Sequence, residues 1–436
     1  MTDILLVNSA LKDPYALYRR HRSGPPLGLA YIAAVLLENG FSVSAVDMNV
    51  PFIDFEYVRK KIEREEPIIV GISACTEAYS NALRIAKIAK EVNPEIVTVV
   101  GGPHVTFTPI DTLRNKEIDI VVRGEGEITM LELADHFIKG SPPIEKILGI
   151  SYKAERDIIY SNADRPFIHD LDRLPFPARH LFPLRFYQFP GNISTSRGCP
   201  YNCIFCSASA MWGRKYRTRT PKNVIKEIIY LVEKYGIRSF TFVDDTFTVS
   251  RRRTYEICEL IKALTPDIKW QCSTRVDTVT EGTLSEMKNA GCYAITLGVE
   301  SGCQRILDEI RKGITLDQVR RVVRCAVKLG LEVYCSFMLP HPGDTIETVK
   351  ETKDFMKELV QLGAMVTLAF TVPYPGTYLY NNAKALGIRI LSKNWDDFTA
   401  TKPIISTKHL SVTQIKNLYK EIVSDMYDFM PHNLKP

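Results

Sequence analysis

The sequence predicts an α/β chain: a doubly wound parallel sheet, then a partial (β/α)6 barrel, then a small C-terminal extension. Two observations carry this. Short apolar runs of strand length alternate with amphipathic helical stretches, twice over, which means parallel strands covered on both faces. Glycines or polar residues fall just past the strands in both runs, where such folds keep their ligands. The 436 residues leave room for two domains and a small third, and 45% hydrophobic with 24% charged residues is an ordinary globular composition.

In the first run, Ile4 to Asn8 reads as a buried strand and Gly28 to Asn39 as a helix stopped by Gly40. Strands are expected at Ser42 to Asp47, Ile68 to Ser73, Ile96 to Val100 and Ile118 to Val122. Helices are expected at Phe55 to Glu66, at Tyr79 to Val92, and after Gly126 through Phe137. Ile147 to Ser161 alternates about a polar turn and predicts a hairpin. Arg165 to Pro190 is dense in proline, which predicts an extended crossing segment.

The second run has six strand candidates: Asn192 to Ser196, Arg238 to Val243, Lys269 to Arg275, Ala294 to Gly298, Glu332 to Met338 and Val366 to Thr371. Thr220 and Pro221 mark a helix start before Val224 to Tyr235. Leu410 to Tyr419 has helical spacing, and Tyr427, Phe429 and Met430 are expected to pack on the barrel. Domains are therefore expected at 1–145, 191–377 and 378–436, with a linker at 146–190.

A net charge of +6 spread over 56 basic and 50 acidic residues does not mark a nucleic-acid binder. Arg251-Arg-Arg253 and Arg311-Lys312 read as solvated helix ends. The N-terminus lacks the basic and apolar regions of a signal peptide, and no apolar run reaches membrane-spanning length. A reducing cytoplasm is the expected home.

The sharpest signal is Ser196-Arg-Gly-Cys-Pro-Tyr-Asn-Cys-Ile-Phe-Cys206. Cys199, Cys203 and Cys206 are spaced C-x3-C-x2-C. Three thiolates this close can ligate three irons of a [4Fe-4S] cluster and leave the fourth open. A zinc site wants a fourth Cys or His nearby, yet the nearest histidine is His180 and the next cysteine Cys258. Three cysteines also cannot pair off as disulfides. This stretch resembles the signature of radical S-adenosylmethionine (SAM) enzymes. The resemblance implies that SAM chelates the open iron and is cleaved to a 5′-deoxyadenosyl radical, with Phe205 near the adenine.

The N-terminal part resembles the cobalamin-binding domain of one radical SAM subfamily, through Pro25-Pro-Leu-Gly-Leu-Ala-Tyr31, Val46-Asp-Met-Asn49, Gly71-Ile-Ser73, Gly101-Gly-Pro-His104 and Arg123-Gly-Glu-Gly-Glu127. It implies a Rossmann- or flavodoxin-like domain with Pro25, Leu27, Asp47, Asn49, Ser73, Gly101, Gly102, His104, Gly124 and Glu125 around the corrin. Asn49 stands where a D-x-H-x-x-G motif would put its histidine, so that loop supplies no imidazole to cobalt. The competing reading is a flavodoxin-like scaffold without cofactor.

Over the TIM-like barrel the same resemblance places Asp244 or Asp245 near the SAM amino group, Glu300 at the ribose, and the loop from Leu339 through Pro340 to Gly343 at the adenine. Charge alone nominates Arg275 for the SAM carboxylate. Bland readings stand beside these: Asp245 as a helix N-cap, Glu300 as a buried ion-pair partner, His104 as a structural histidine. The implied activity is C-methylation of an unactivated carbon. One SAM methylates reduced cobalamin, and a second yields the radical that abstracts hydrogen. A one-electron reductant such as a flavodoxin or ferredoxin is the expected partner, without nucleic acid or a membrane span. Arg214, Lys215 and Arg217 suggest a basic entrance and a carboxylate-bearing or peptidyl substrate, by analogy a residue of methyl-coenzyme M reductase. The alternatives are a non-methylating enzyme that forms a ring or carbon–carbon bond, and a corrinoid sensor with a structural cluster.

Overall fold

The computed structural model describes residues 2–11, 24–154, 158–264 and 268–429, with backbone only for 427–429. The side chains of Tyr427, Phe429 and Met430 therefore lie outside the described residues. Two compact units emerge. The first is Met1–Asn192 with Asn394–Asp396, and the second is Ile193–Lys393 with Asp397–Pro436.

The first unit is built on strands β1 (Ile4–Asn8), β2 (Val43–Asp47), β3 (Ile69–Ser73), β4 (Val97–Gly101), β5 (Ile120–Val122), β6 (Ile150–Lys153) and β7 (Ile159–Ser161). Their order is β2-β1-β3-β4-β5-β6-β7. The strands β1 to β5 run parallel, and the β6–β7 hairpin joins antiparallel at the edge. The helices are α1 (Leu27–Glu38), α2 (Phe55–Glu65), α3 (Tyr79–Val92) and α4 (Glu127–Ala134). Alternation along each strand splits the core in two. Ile4, Leu6 and Ile69 pack with α1 and α4 on one face. Leu5, Val7, Val70 and Ile72 pack with α2 and α3 on the other. Strands buried on both faces read as continuous apolar runs, which is why they were legible in the sequence.

The expected extended crossing at 165–190 takes another form. Three one-turn 3-10 helices, Leu171–Arg173, Arg179–Leu181 and Leu184–Phe186, interrupt it. Ala178, Phe182 and Tyr187 bury themselves in the core on the α1 side, so the whole segment belongs to the first unit. Proline sets φ but does not keep its neighbours extended.

The second unit has a six-stranded sheet of β8 (Asn192–Ile193), β11 (Ser239–Phe242), β12 (Lys269–Thr274), β13 (Cys292–Glu300), β14 (Glu332–Leu339) and β15 (Met365–Phe370), in the order β15-β14-β13-β12-β11-β8. A minimal antiparallel pair, β9 (Ser196–Arg197) with β10 (Arg217–Thr218), brackets the cysteine loop. Helices α5 (Pro221–Tyr235), α6 (Arg251–Lys262), α7 (Glu281–Asn289), α8 (Leu316–Lys328) and α9 (Ile346–Gln361) follow successive strands. Each begins at a Ser or Thr whose side chain accepts an N–H of the first turn: Thr220, Ser250, Thr280, Thr315 and Thr345. Helix α10 (Val412–Phe429) ends the described chain. No helix among the described residues is long and apolar enough to cross a membrane.

Three charged residues read as surface features are buried instead. Arg253 donates to the carbonyls of Arg219 and Thr195 at 3.1 and 2.8 Å. Arg217 is buried within β10, whereas Arg214 and Lys215 are exposed. Lys312 is buried against Glu300.

Candidate functional site

Each unit offers the carboxyl edge of its parallel sheet. In the first unit the strand register aligns Asn8 with both Asp47 and Ser73, and Ser73 with Gly101. The side chains there are mostly used internally. Asp47 Oδ1 accepts from Asn8 Nδ2 at 2.9 Å and from the Asn49 backbone and side-chain nitrogens at 3.0 Å each. Its Oδ2 accepts from the Tyr187 hydroxyl at 2.9 Å. Burial and the neighbouring Asp47 raise the Tyr187 pKa, so the phenol stays protonated. Asn49 Oδ1 in turn accepts the Leu11 N–H at 3.1 Å. The residue that replaces a ligating histidine is thus tied into the loop. Pro25 accepts at its carbonyl from Asn192 Nδ2 at 2.9 Å, and Leu27 opens α1. Glu125 accepts the Ile168 N–H at 2.7 Å.

His104 is packed rather than presented. Its ring lies 4.2 Å from that of Tyr79 and 4.8 Å from that of Trp395, and Nδ1 is 3.2 Å from Thr76 Oγ1. Burial lowers its pKa to about 4. Gly102 takes a φ of +111°, and a Cβ there would meet the Ala74 carbonyl oxygen at 2.6 Å, so only glycine fits this turn. Gly28 and Gly124, by contrast, face open space. Tied-down side chains beside bare backbone suit a large, flat group held by shape, as a corrin is.

In the second unit the cysteine loop leaves β9. A Cβ on Gly198, at φ +89°, would strike the Lys215 carbonyl oxygen at 2.3 Å, so the loop turns there on glycine. Cys199 Sγ lies 3.7 Å from Thr246 Oγ1, and Cys203 Sγ accepts from Arg275 Nη1 at 3.7 Å. Burial raises the thiol pKa of Cys203 and pushes that of Cys206 up to about 11. At Cys203 the charges of Lys312 and Arg275 oppose that rise, which favours the thiolate a metal needs. No group of three His, Cys, Asp or Glu side chains closes to single-ion spacing among the described residues. Three thiolates are soft donors of the kind iron–sulfur clusters take. The donor set fits an iron–sulfur cluster.

Glu300 sits where β13 shifts register against β14, between Gly298 and Glu300, and holds a φ of +77°. Strain and a bulge in one residue re-aim its side chain. Its Oε1 pairs with Lys312 Nζ at 3.0 Å. The pair folds over Gly298, where a Cβ would meet Oε1 at 2.5 Å and Nζ at 2.9 Å. His341, next to Pro340 past β14, donates from Nε2 to the Glu300 carbonyl at 3.1 Å. The Phe205 ring lies 6.0 Å from the His341 ring and 5.9 Å from Lys312 Nζ. The structure thus brings together Phe205, Glu300 and the Pro340 loop.

Asp244 does something else. Its Oδ1 accepts the N–H groups of Thr195 and Ser196 at 2.6 and 3.1 Å, and its Oδ2 accepts the Thr195 hydroxyl. It pins the strand that leads into the cysteine loop. Asp245 keeps solvent contact, yet surrounding protein, and then the Asp244 charge, push its pKa up to about 6. It does not cap α6, because Ser250 does. Lys312, Tyr201, Asp277, His341, Tyr187 and Trp395 join these sites without having been singled out from the sequence. Of these, Tyr201 lies within the cysteine motif, Lys312 within the Arg311-Lys312 pair and His341 within the Pro340-His-Pro-Gly343 stretch.

Residues 193–356 match the Radical SAM superfamily, and residues 19–134 match the B12 binding domain. An uncharacterised methyltransferase of Pyrococcus horikoshii is 40% identical over 410 residues, 93% of this chain and 88% of its own length. An anaerobic magnesium-protoporphyrin IX monomethyl ester cyclase of Rubrivivax gelatinosus is 34% identical over 339 residues, 75% of this chain and 61% of the cyclase. The fold is shared with the radical S-adenosylmethionine methyltransferase TsrM from Kitasatospora setae, solved with cobalamin and a [4Fe-4S] cluster. The TM-score is 0.76 at 16% identity, over 99% of this chain and 90% of that one. A radical SAM core preceded by a B12-binding domain defines the class. The chain belongs to the cobalamin-dependent radical SAM methyltransferase family, whose cofactors are SAM, a [4Fe-4S] cluster and cobalamin.

Proposed function

We propose that this enzyme methylates an unactivated carbon, with the cluster on Cys199, Cys203 and Cys206 and cobalamin at the carboxyl edge of β1 to β5. When bound, the cluster supplies the electron that cleaves SAM, and the cobalamin carries the methyl group. The chain's own residues bind and orient. Glu300, held by Lys312 and His341, offers a carboxylate for the ribose hydroxyls, and Phe205 and the Pro340 loop offer an adenine slot. Asp245 is the acid left with solvent contact for the SAM amino group. The observation that carries the reading is one chain holding both a three-cysteine loop backed by buried cations and a glycine-lined sheet edge whose Asn49 is tied down. A flavodoxin- or ferredoxin-type reductant and a reducing cytoplasm belong to this reading.

The test is cofactor retention. Protein incubated with hydroxocobalamin should keep its corrin absorption through desalting, and the cob(II) form should show no nitrogen splitting from a protein imidazole in electron spin resonance. Loss of the corrin removes the methylation reading. The second reading, ring closure without methyl transfer, is favoured by the 34% identity to the cyclase. Isotope-labelled SAM separates the two, since only methylation moves its methyl group to product. Support for a peptidyl substrate narrows to Arg214 and Lys215, because Arg217 is buried.

A further inference from the structure

A guanidinium carries five N–H donors in one plane. Those of Arg275, a buried residue just past β12, are nearly all engaged. Nε and Nη2 donate to the two carboxylate oxygens of Asp277 at 2.9 and 3.0 Å. Nη2 also donates to the Lys312 carbonyl at 2.6 Å, and Nη1 donates to Cys203 Sγ at 3.7 Å. The guanidinium carbon lies 3.6 Å from the centre of the Tyr201 ring. Two edges and one face are therefore fixed. Among the described residues a single N–H is left over, on Nη1, so a two-point grip on the SAM carboxylate is not available without breaking this arrangement.

What the fixed guanidinium does face is a cysteine of the loop. We infer that Arg275 is a positioning residue for the iron–sulfur cluster: locked in plane by Asp277, the Lys312 carbonyl and Tyr201, it donates to the Cys203 thiolate and raises the cluster's reduction potential. This rests on the assignment of the cluster to the three cysteines. One-electron reduction adds a negative charge to the cluster and neither makes nor breaks a bond. A buried cation donating to a ligating sulfur stabilises that extra charge, and hydrogen bonds to sulfur are a recognised control on such potentials. Lys312 adds a second cation, partly offset by Glu300.

The experiment uses the full chain reconstituted with iron and sulfide, without SAM, cobalamin or substrate. Potentiometric titration is followed by electron spin resonance of the reduced cluster. Arg275→Met should keep its iron and lower the midpoint by about 59 mV, a tenfold change in a one-electron equilibrium. Arg275→Lys should fall between Met and wild type, because it keeps charge but not the planar fork. Asp277→Asn, which loosens the guanidinium without removing it, should shift the midpoint the same way by less. A wild-type midpoint in Arg275→Met overturns the inference, even if SAM affinity falls. Should that variant fail to load iron, an unshifted midpoint in Asp277→Asn overturns it instead. Wild-type protein that binds no iron would break the cluster assignment itself, which is a separate result.

Discussion

The two sheet edges differ in how they spend their polar groups. At the first, Asp47 satisfies Asn8, Asn49 and Tyr187, Asn49 satisfies Leu11, and His104 is buried without charge. The backbone at Gly28 and Gly124 faces open space. At the second, opposite charges are buried close to cysteines, and one carboxylate is held on a strained residue. A region that holds a cofactor by shape consumes its own polarity. A region that must handle charge concentrates it in low dielectric, where each interaction counts for more.

The largest expected effect tests the second edge. Replacing Cys199, Cys203 and Cys206 together by Ala should remove bound iron and abolish SAM cleavage. Deoxyadenosine production by that variant would erase the distinction between the edges.

The next tests the first edge. The His104 imidazole titrates near 4 when folded, against an ordinary value of 6.5, because burial penalises its charge. Between those values the unfolded chain binds more protons. The stability tied to His104 is thus complete above about pH 6.5 and is lost as pH falls toward 4, up to about 3 kcal/mol. The urea midpoint of wild type should fall over that window more than that of His104→Gln. Parallel curves would mean the histidine is not held neutral.

A smaller effect is expected at Glu300. Charge-assisted hydrogen bonds contribute about 1.5–3 kcal/mol, so Glu300→Gln should weaken SAM binding roughly ten- to hundredfold with iron content unchanged. Equilibrium dialysis measures it, and wild-type affinity would leave the Lys312 pair as a structural device alone. Smallest is Tyr187→Phe, which removes one of several donors to Asp47. It should cost about 0.5–1.5 kcal/mol in unfolding, and no change would show that Asp47 is satisfied without it.

Much of the fold is legible because period and punctuation suffice for strands and helices: Tyr79 to Val92 reads as a helix to the residue, and each of the six strands of the second sheet has its apolar run. The cysteine loop was legible because ligand spacing is local. What stayed hidden depends on partners no local pattern encodes. Arg253 is buried against two carbonyls, and any residue has a carbonyl. Lys312 looked like a helix end because its partner Glu300 lies 12 residues upstream on another element. The Arg275 clamp is partly local, since Asp277 lies two residues on, but a nearby carboxylate does not reveal whether it fills the fork, and the second acceptor is the distant Lys312 carbonyl.

Asn394–Asp396 returns from the C-terminal part of the chain to the first unit, where Trp395 covers His104 and Asp396 accepts from Ser80. The polypeptide therefore passes between the units three times, not once. A fragment cut at Asn192 would lack the lid over His104, and its imidazole would titrate closer to an ordinary histidine. The first unit is thus completed by a segment about 200 residues further along the chain. Recombination at a single junction would hand on an incomplete module, so the two halves are expected to be inherited together.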